Sequence, residues 1–226
     1  MYRSVQYIYN YPPTVKCFIL IGTVFTILDL EAVPRVKEFD EMRALETAMH
    51  VFWDRGYEGT SLKHLEKAMG LTRSSIYNAY GNKRQLFEKT IDLYQKNIYG
   101  GLLEEIEQAA SIKEGLRNLL LAVIDLHFSK QTPEGCMIAL SILEKTQHNK
   151  STRKLLDQTI ELVTKSIESH IKQAQKKGDI NKDKDTQVIA SIVVMAMAGI
   201  MVQAKAGVEK KRLVKIADTL VKMLES

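Results

Sequence analysis

Residues 60–83, TSLKHLEKAMGLTRSSIYNAYGNK, constrain the fold more than any other stretch, because they read as two short helices joined by a tight glycine turn. In the first run Leu62, Leu65, Ala68 and Met69 share one helical face, and Thr60 stands where an N-cap is expected. That face must be buried. Gly70 ends the run as a residue able to take positive φ, and Leu71 and Thr72 complete the turn. The second run carries Ile76, Tyr77 and Tyr80 on one side and is rich in serine and arginine on the other. Between residues 60 and 84 five cations (Lys63, Lys67, Arg73, Lys83 and Arg84) face one carboxylate, Glu66, a local surplus of four where the whole chain has five. Positive charge is therefore concentrated here, on a helix pair shaped to meet a duplex groove.

The 226 residues, 45% of them hydrophobic, are enough for one sizeable core or for a small domain attached to a larger one. A pI near 9.0 allows a polyanionic partner but does not require one. Cys17 and Cys136 are far apart and fit no CxxC pattern, so the usage is that of a reducing, cytoplasmic compartment rather than a disulfide scaffold. The segment Cys17 to Leu28 holds twelve uncharged residues between Lys16 and Asp29, too few to span a bilayer comfortably. Leu30, Glu31 and Ala32 make a poor cleavage site for a secretory signal. Three readings remain for residues 1–33: a tail packed on the protein, a membrane tether, or sequence upstream of the true start. The last is preferred, since composition changes abruptly at Val33 and Pro34 and Arg35 lead into a helical pattern; no membrane association is expected.

From Phe39 the apolar residues Phe39, Met42, Leu45, Met49, Phe52 and Trp53 keep a helical period up to Gly56. Asn82 with Gln85 predicts a capped helix carrying Leu86, Phe87, Ile91 and Tyr94, which leads out of the small domain. Beyond Gly100 the spacing predicts only helices. Ser111 with Glu114 opens one over 116–128, Thr132 and Pro133 begin another, and Ser151 opens a long one that Gly178 closes. A further helix from about Asp185 to Lys205 contains VIASIVVMAMAGIMV, and Leu213, Ile216, Leu220 and Leu224 mark the last. A helix apolar nearly all round is buried on more than one side. With Ala190, Ala196, Ala198 and Gly199 permitting close contact, the helices near 152–177 and 185–205 are expected to pair with their symmetry mates in a four-helix homodimer interface; burial inside a monomer core is the alternative.

The motifs in AMHVFWDRGYEGTSLKHLEKAMGLTRSSIYNAYGNKRQLF resemble the N-terminal domain of the TetR/AcrR family of transcriptional regulators. GYEGTS matches the family's start of helix two, the AMG stretch its glycine turn, and YNAYGNK its close. GCMIALSILE is similar to a pattern in one branch of the family. The resemblance implies an all-α fold: an N-terminal three-helix DNA-binding domain over 38–98 with its helix-turn-helix at 61–80, then a larger helical effector-binding and dimerisation domain over 102–226. It also implies a dimeric repressor on a palindromic double-stranded DNA operator, with recognition helices about 34–36 Å apart, released by an unknown small-molecule effector. The expected DNA contacts are Thr60, Ser61, Thr72, Arg73, Ser74, Ser75, Tyr77, Asn78, Tyr80 and Lys83. Thr60 and Ser61 at a helix N-terminus suit a phosphate, and Lys83 is the family's phosphate clamp. Arg73, Ser74 and Asn78 are placed to reach base edges, arginine being able to grip guanine with two bonds. Effector-pocket candidates are Leu119, Val123, His127, Phe128, Met137, Leu140, Ile160 and Val163, each of which also serves as plain core.

Other classes leave less trace. His50, His64, His127, His148 and His170 form no HExxH and no metal-spaced pair with cysteine, and neither a phosphate-binding glycine loop nor a GxSxG elbow is present, so no enzyme, metal or cofactor is expected. A helical interaction adaptor remains a rival, as does a redox-responsive regulator acting through Cys136, which is otherwise a small buried hydrophobe.

Overall fold

The structure is a computed structural model and describes residues 39–225; the expectations for residues 1–33, the Cys17 to Leu28 segment included, lie outside them. Among the described residues every regular element is helical. Helix α1 (Glu41–Gly59) begins at Asp40, whose Oδ1 accepts the Arg43 amide at 3.1 Å. It buries Ala44, Ala48, Met49, Phe52 and Trp53. Met42, expected on that stripe, is 61% exposed, because the buried face starts at Ala44, two residues on and so on the other side of the helix. Gly56 kinks the helix with φ 71° and ψ 175°, a conformation that a side chain resists, and the chain makes one more turn before α2 (Leu62–Met69).

Helix α3 (Arg73–Tyr80) follows the Gly70 turn, and α4 (Lys83–Tyr94) follows Asn82, which forms the expected capping box with Gln85. α4 lies against α1, with Phe52 edge-on to Phe87 at 5.0 Å and Trp53 edge-on to Tyr94 at 4.8 Å. Truncating a fully buried tryptophan in such a cluster costs about 3–5 kcal/mol. A π-helical turn, Gln95–Tyr99, carries α4 directly into α5 (Gly100–Glu107), so the rod that leaves the small domain is unbroken.

The second half stacks α6 (Ile112–Phe128), α8 (Lys150–Lys177), α9 (Thr186–Lys205) and α10 (Lys210–Glu225), with α9 packed on α6 and α8, and α10 on α6. Short α7 (Met137–Leu143) and a 3₁₀ turn, Lys145–Gln147, lie between this stack and α1. α9 is long and apolar enough to cross a membrane by length and composition, yet Ile189, Ala190, Val193 and Met197 are buried inside the protein.

Four local expectations change. No helix begins at Thr132 and Pro133; α7 starts only after Cys136. The intervening backbone is committed elsewhere: Gly135 N–H donates to His127 Nδ1 at 3.1 Å, its carbonyl accepts the Trp53 indole at 3.0 Å, and the Thr132 hydroxyl donates to the Leu126 carbonyl at 2.9 Å. The N-cap of α8 is Asn149, whose Oδ1 accepts the Thr152 amide, while the Ser151 hydroxyl turns to Glu88 at 2.7 Å. In α10 the buried stripe is Leu213, Ala217 and Val221, leaving Ile216 45% exposed. Of the four small residues of α9, Ala190 is buried within the monomer, Ala196 is half-buried, and only Ala198 and Gly199 lie on the open face.

Candidate nucleic-acid interface and effector cavity

Ser61, not Thr60, caps α2. Its Oγ accepts the His64 amide and its own N–H donates to His64 Nδ1, both at 3.2 Å, a capping box closed by histidine. Thr60 is 1% exposed and its hydroxyl donates to the Gly56 carbonyl at 2.7 Å, so it builds the α1–α2 corner and cannot face a phosphate. Gly70 takes φ 66° and its N–H returns to the Glu66 carbonyl, ending α2 in the left-handed conformation that glycine tolerates.

Thr72 caps α3, accepting the Ser75 amide at 3.2 Å, and the two hydroxyls lie 3.0 Å apart. Ile76 is fully buried beneath α3. Tyr80 is 5% exposed and its hydroxyl donates to the Glu41 carbonyl at 2.7 Å; expected among the DNA contacts, it is instead the bolt that fixes α3 to α1. What remains outward is Thr72, Arg73, Ser74, Tyr77 and Asn78. Positions 73, 74, 77 and 78 share one helix face.

Glu66 is the residue that spacing did not reveal. Its Oε1 accepts the Arg73 amide at 2.8 Å, and its Oε2 lies 3.9 Å from the Arg73 guanidinium. It thus satisfies a free amide of α3 from seven positions upstream, beyond the reach of local cap rules. Lys83 stands at the first turn of α4 with Nζ 4.2 Å above the Tyr57 ring. Burial lowers its pKa from the ordinary 10.5, against the charges of Glu58 and Glu144, which raise it. Lys63 and Lys67 are exposed, but Arg84 is not free for a polyanion. Its Nη1 lies 3.1 Å from Glu88, which also accepts the Ser151 and Thr152 hydroxyls at 2.7 Å. Burial alone raises the Glu88 carboxyl; those hydroxyls and Arg84 overcome it, and the pKa falls below 4.5.

In the second half an apolar cavity of about 40 Å³ is lined by Tyr99, Val123, Cys136, Ile160, Val163 and Met197 among others. Three pocket candidates, Val123, Ile160 and Val163, line it. Leu119 and Met137 are buried in the core without lining it, His127 is held by Gly135, Leu140 is half-buried, and Phe128 is 43% exposed. Phe128 ends α6 just beside the buried row that Val123, Ile124 and His127 form, with its ring partly outside the core. Cys136 caps α7: its Sγ accepts the Ala139 amide at 3.4 Å and meets the Tyr94 and Tyr99 hydroxyls at 3.6 and 3.4 Å. Burial pushes both phenols well above 10.0, so they remain protonated.

A rigidly bolted eight-residue helix with a polar open face, set behind a glycine turn in an all-α chain, defines the class: a helix-turn-helix protein. Residues 44–90 match the model for bacterial regulatory proteins of the tetR family, and residues 113–220 match the tetracyclin repressor-like C-terminal domain. The chain belongs to the TetR family of transcriptional regulators. It is similar to the uncharacterised HTH-type regulator YezE of Bacillus subtilis, 27% identical over 84% of this chain and 99% of that protein. It is 26% identical to the HTH-type repressor ComR of Escherichia coli, over 84% of this chain and 90% of that protein. Among solved structures, a cysteine-substituted form of the TetR-family regulator CifR, complexed with 26 bp double-strand operator DNA, superposes with a TM-score of 0.77. That match has 30% identity over 84% of this chain and 97% of CifR.

Proposed function

We propose that this protein is a cytoplasmic transcriptional repressor that binds a palindromic operator as a homodimer and leaves it when a small molecule enters the helical half. The observation that carries this is the open face of α3, where Arg73, Ser74, Tyr77 and Asn78 point outward from a helix that Ile76 and Tyr80 lock in place. Ser61 and Lys83 flank that face, suited to phosphates on either side. The operator complex of CifR supports the same use of the helix here. Support for the dimer is the row Val188, Met195, Ala198, Gly199 and Val202 on α9, apolar and exposed at both ends and the middle of the helix. Leu162 of α8 is a further exposed apolar residue, 52% open, in a groove beside Gln95, Lys96 and Leu103.

The effector's place is the apolar cavity. At about 40 Å³ it holds no drug-sized molecule in this state, so entry must part the helices around it. Such a ligand binds one conformation better than the other and weakens operator binding by that ratio. A second reading makes the effector an oxidant or electrophile, and one observation favours it: Cys136 is among the residues that line this cavity. Cys136→Ser separates the two, sparing a non-covalent response and abolishing a thiol-dependent one.

The decisive experiment titrates the purified protein against its own upstream DNA with random DNA as competitor at several salt concentrations. The expected result is a preference of at least about 10³ for one duplex, with affinity falling steeply as salt rises. Equal binding to every duplex would sink the proposal.

A further inference from the structure

The kink at Gly56 is closed by a residue from the other half of the chain. Glu144 Oε2 accepts the Tyr57 amide at 2.8 Å across 87 residues of sequence. That amide opens the short turn after the kink, so it has no helical partner of its own. The carboxylate occupies the space a side chain on residue 56 would take: a Cβ there would lie 2.6 Å from Glu144 Oε1. The same turn ends at Thr60 and Ser61, the latter the N-cap of α2. The Tyr57 ring, fixed at 4.9 Å from Phe87 and 5.1 Å from His148, in turn supports Lys83 Nζ.

Glu144 is also the C-cap of α7, and the N-cap of α7 is Cys136. One helix of seven residues, roughly 10 Å long, therefore has one end on the apolar cavity and the other on the α1–α2 corner. Ala139, on the same helix, lines the cavity as well.

We propose that Glu144 is a positioning residue for DNA binding: it holds the Gly56 to Ser61 corner, and with it the start of α2, in the setting that meets the operator, and α7 carries the state of the cavity to it. This rests on the reading of the chain as an operator-binding regulator. A molecule that widens the cavity displaces α7, draws Glu144 off the Tyr57 amide and lets the corner move. The route needs no change in α3, whose own caps and bolt stay intact.

The test uses the full chain and a duplex selected by the wild type from random sequences; a wild type that selects none overturns the regulator reading and leaves no operator to position for. With a selected duplex, Glu144→Ala is expected to bind about tenfold more weakly with its dimer state unchanged. Glu144→Gln, which keeps an oxygen acceptor for the Tyr57 amide, is expected to retain most of the affinity. Hydrogen exchange at residues 56–61 should quicken in Glu144→Ala while α6 and α8 stay protected. Ala139→Leu overfills the cavity and stands in for an effector: alone it should weaken binding severalfold, and added to Glu144→Ala it should weaken it no further. Unchanged affinity and exchange in Glu144→Ala, equal losses for Gln and Ala, or multiplying losses in the double variant would each overturn the proposal.

Discussion

Two helices present open faces for opposite reasons. On α3 the outward residues are Arg73, Ser74, Tyr77 and Asn78, all able to make hydrogen bonds, and water satisfies them until a partner does. On α9 the exposed apolar residues are Val188, Met195, Ala198, Gly199 and Val202, whose side chains offer water no hydrogen bond. The difference teaches which partner each face calls for. A polar face on a rigid helix loses little by waiting for a charged ligand, whereas an apolar stripe of that length gains about 25 cal/mol for every Å² it covers and is best covered continuously. On the proposed function, α3 is thus the face of a reversible encounter and α9 that of a standing one.

The comparison breaks most sharply at α9. Met195→Glu together with Val202→Glu should cost roughly 3–5 kcal/mol of association, since each interface would then bury unpaired carboxylates. Sedimentation should show monomers, with operator affinity collapsing alongside; a variant that stays dimeric assigns the stripe another role. On α3, Arg73→Ala should cost about 1–3 kcal/mol on the preferred duplex and relax choice at one base position, read by competition among single-base variants. Lys83→Ala should weaken all duplexes alike and flatten the dependence of log affinity on log salt by about 0.9, the share of one phosphate contact. A base-selective loss would move Lys83 from the positioning set to the reading set.

The smallest effect lies behind both faces, at His148. Burial lowers its imidazole below 6.5, against the Ser141 carbonyl and the Glu144 charge, which raise it. The unfolded chain therefore binds the proton more readily than the folded one, so the stabilisation is complete above pH 6.5 and is lost as pH falls through the lower folded value. Thermal midpoints measured downward from neutral pH should fall further in the wild type than in His148→Gln. Parallel curves would remove His148 from the account.

How much of this was legible in the sequence depends on how far apart the bonded partners lie. Asn82 with Gln85, Gly70, Asp185 and Gly178 each act within four residues, and each stands where spacing predicted a helix boundary. Two adjacent hydroxyls defeat the same rule: Thr60 and Ser61 are equally good caps on paper, and only the carbonyl of Gly56 decides which turns inward. Tyr77 and Tyr80 present the same ambiguity, resolved by the Glu41 carbonyl 39 residues away. The loop before α7 has no local signature because its hydrogen bonds reach Trp53 and His127, and the Glu144 to Tyr57 bond has none because its two partners lie 87 residues apart. The exposed face of α9 had no local signature either, since inward and outward residues of an all-apolar helix look alike.

Trp53 is the only tryptophan in the chain, and its indole donates across 82 residues to the carbonyl of Gly135 just ahead of α7. The protein therefore carries an intrinsic optical probe at the seam between its halves. Its emission, blue-shifted while the ring is dry and bonded, should move to longer wavelength whenever that seam loosens, giving a label-free record of the loosening in a single cuvette.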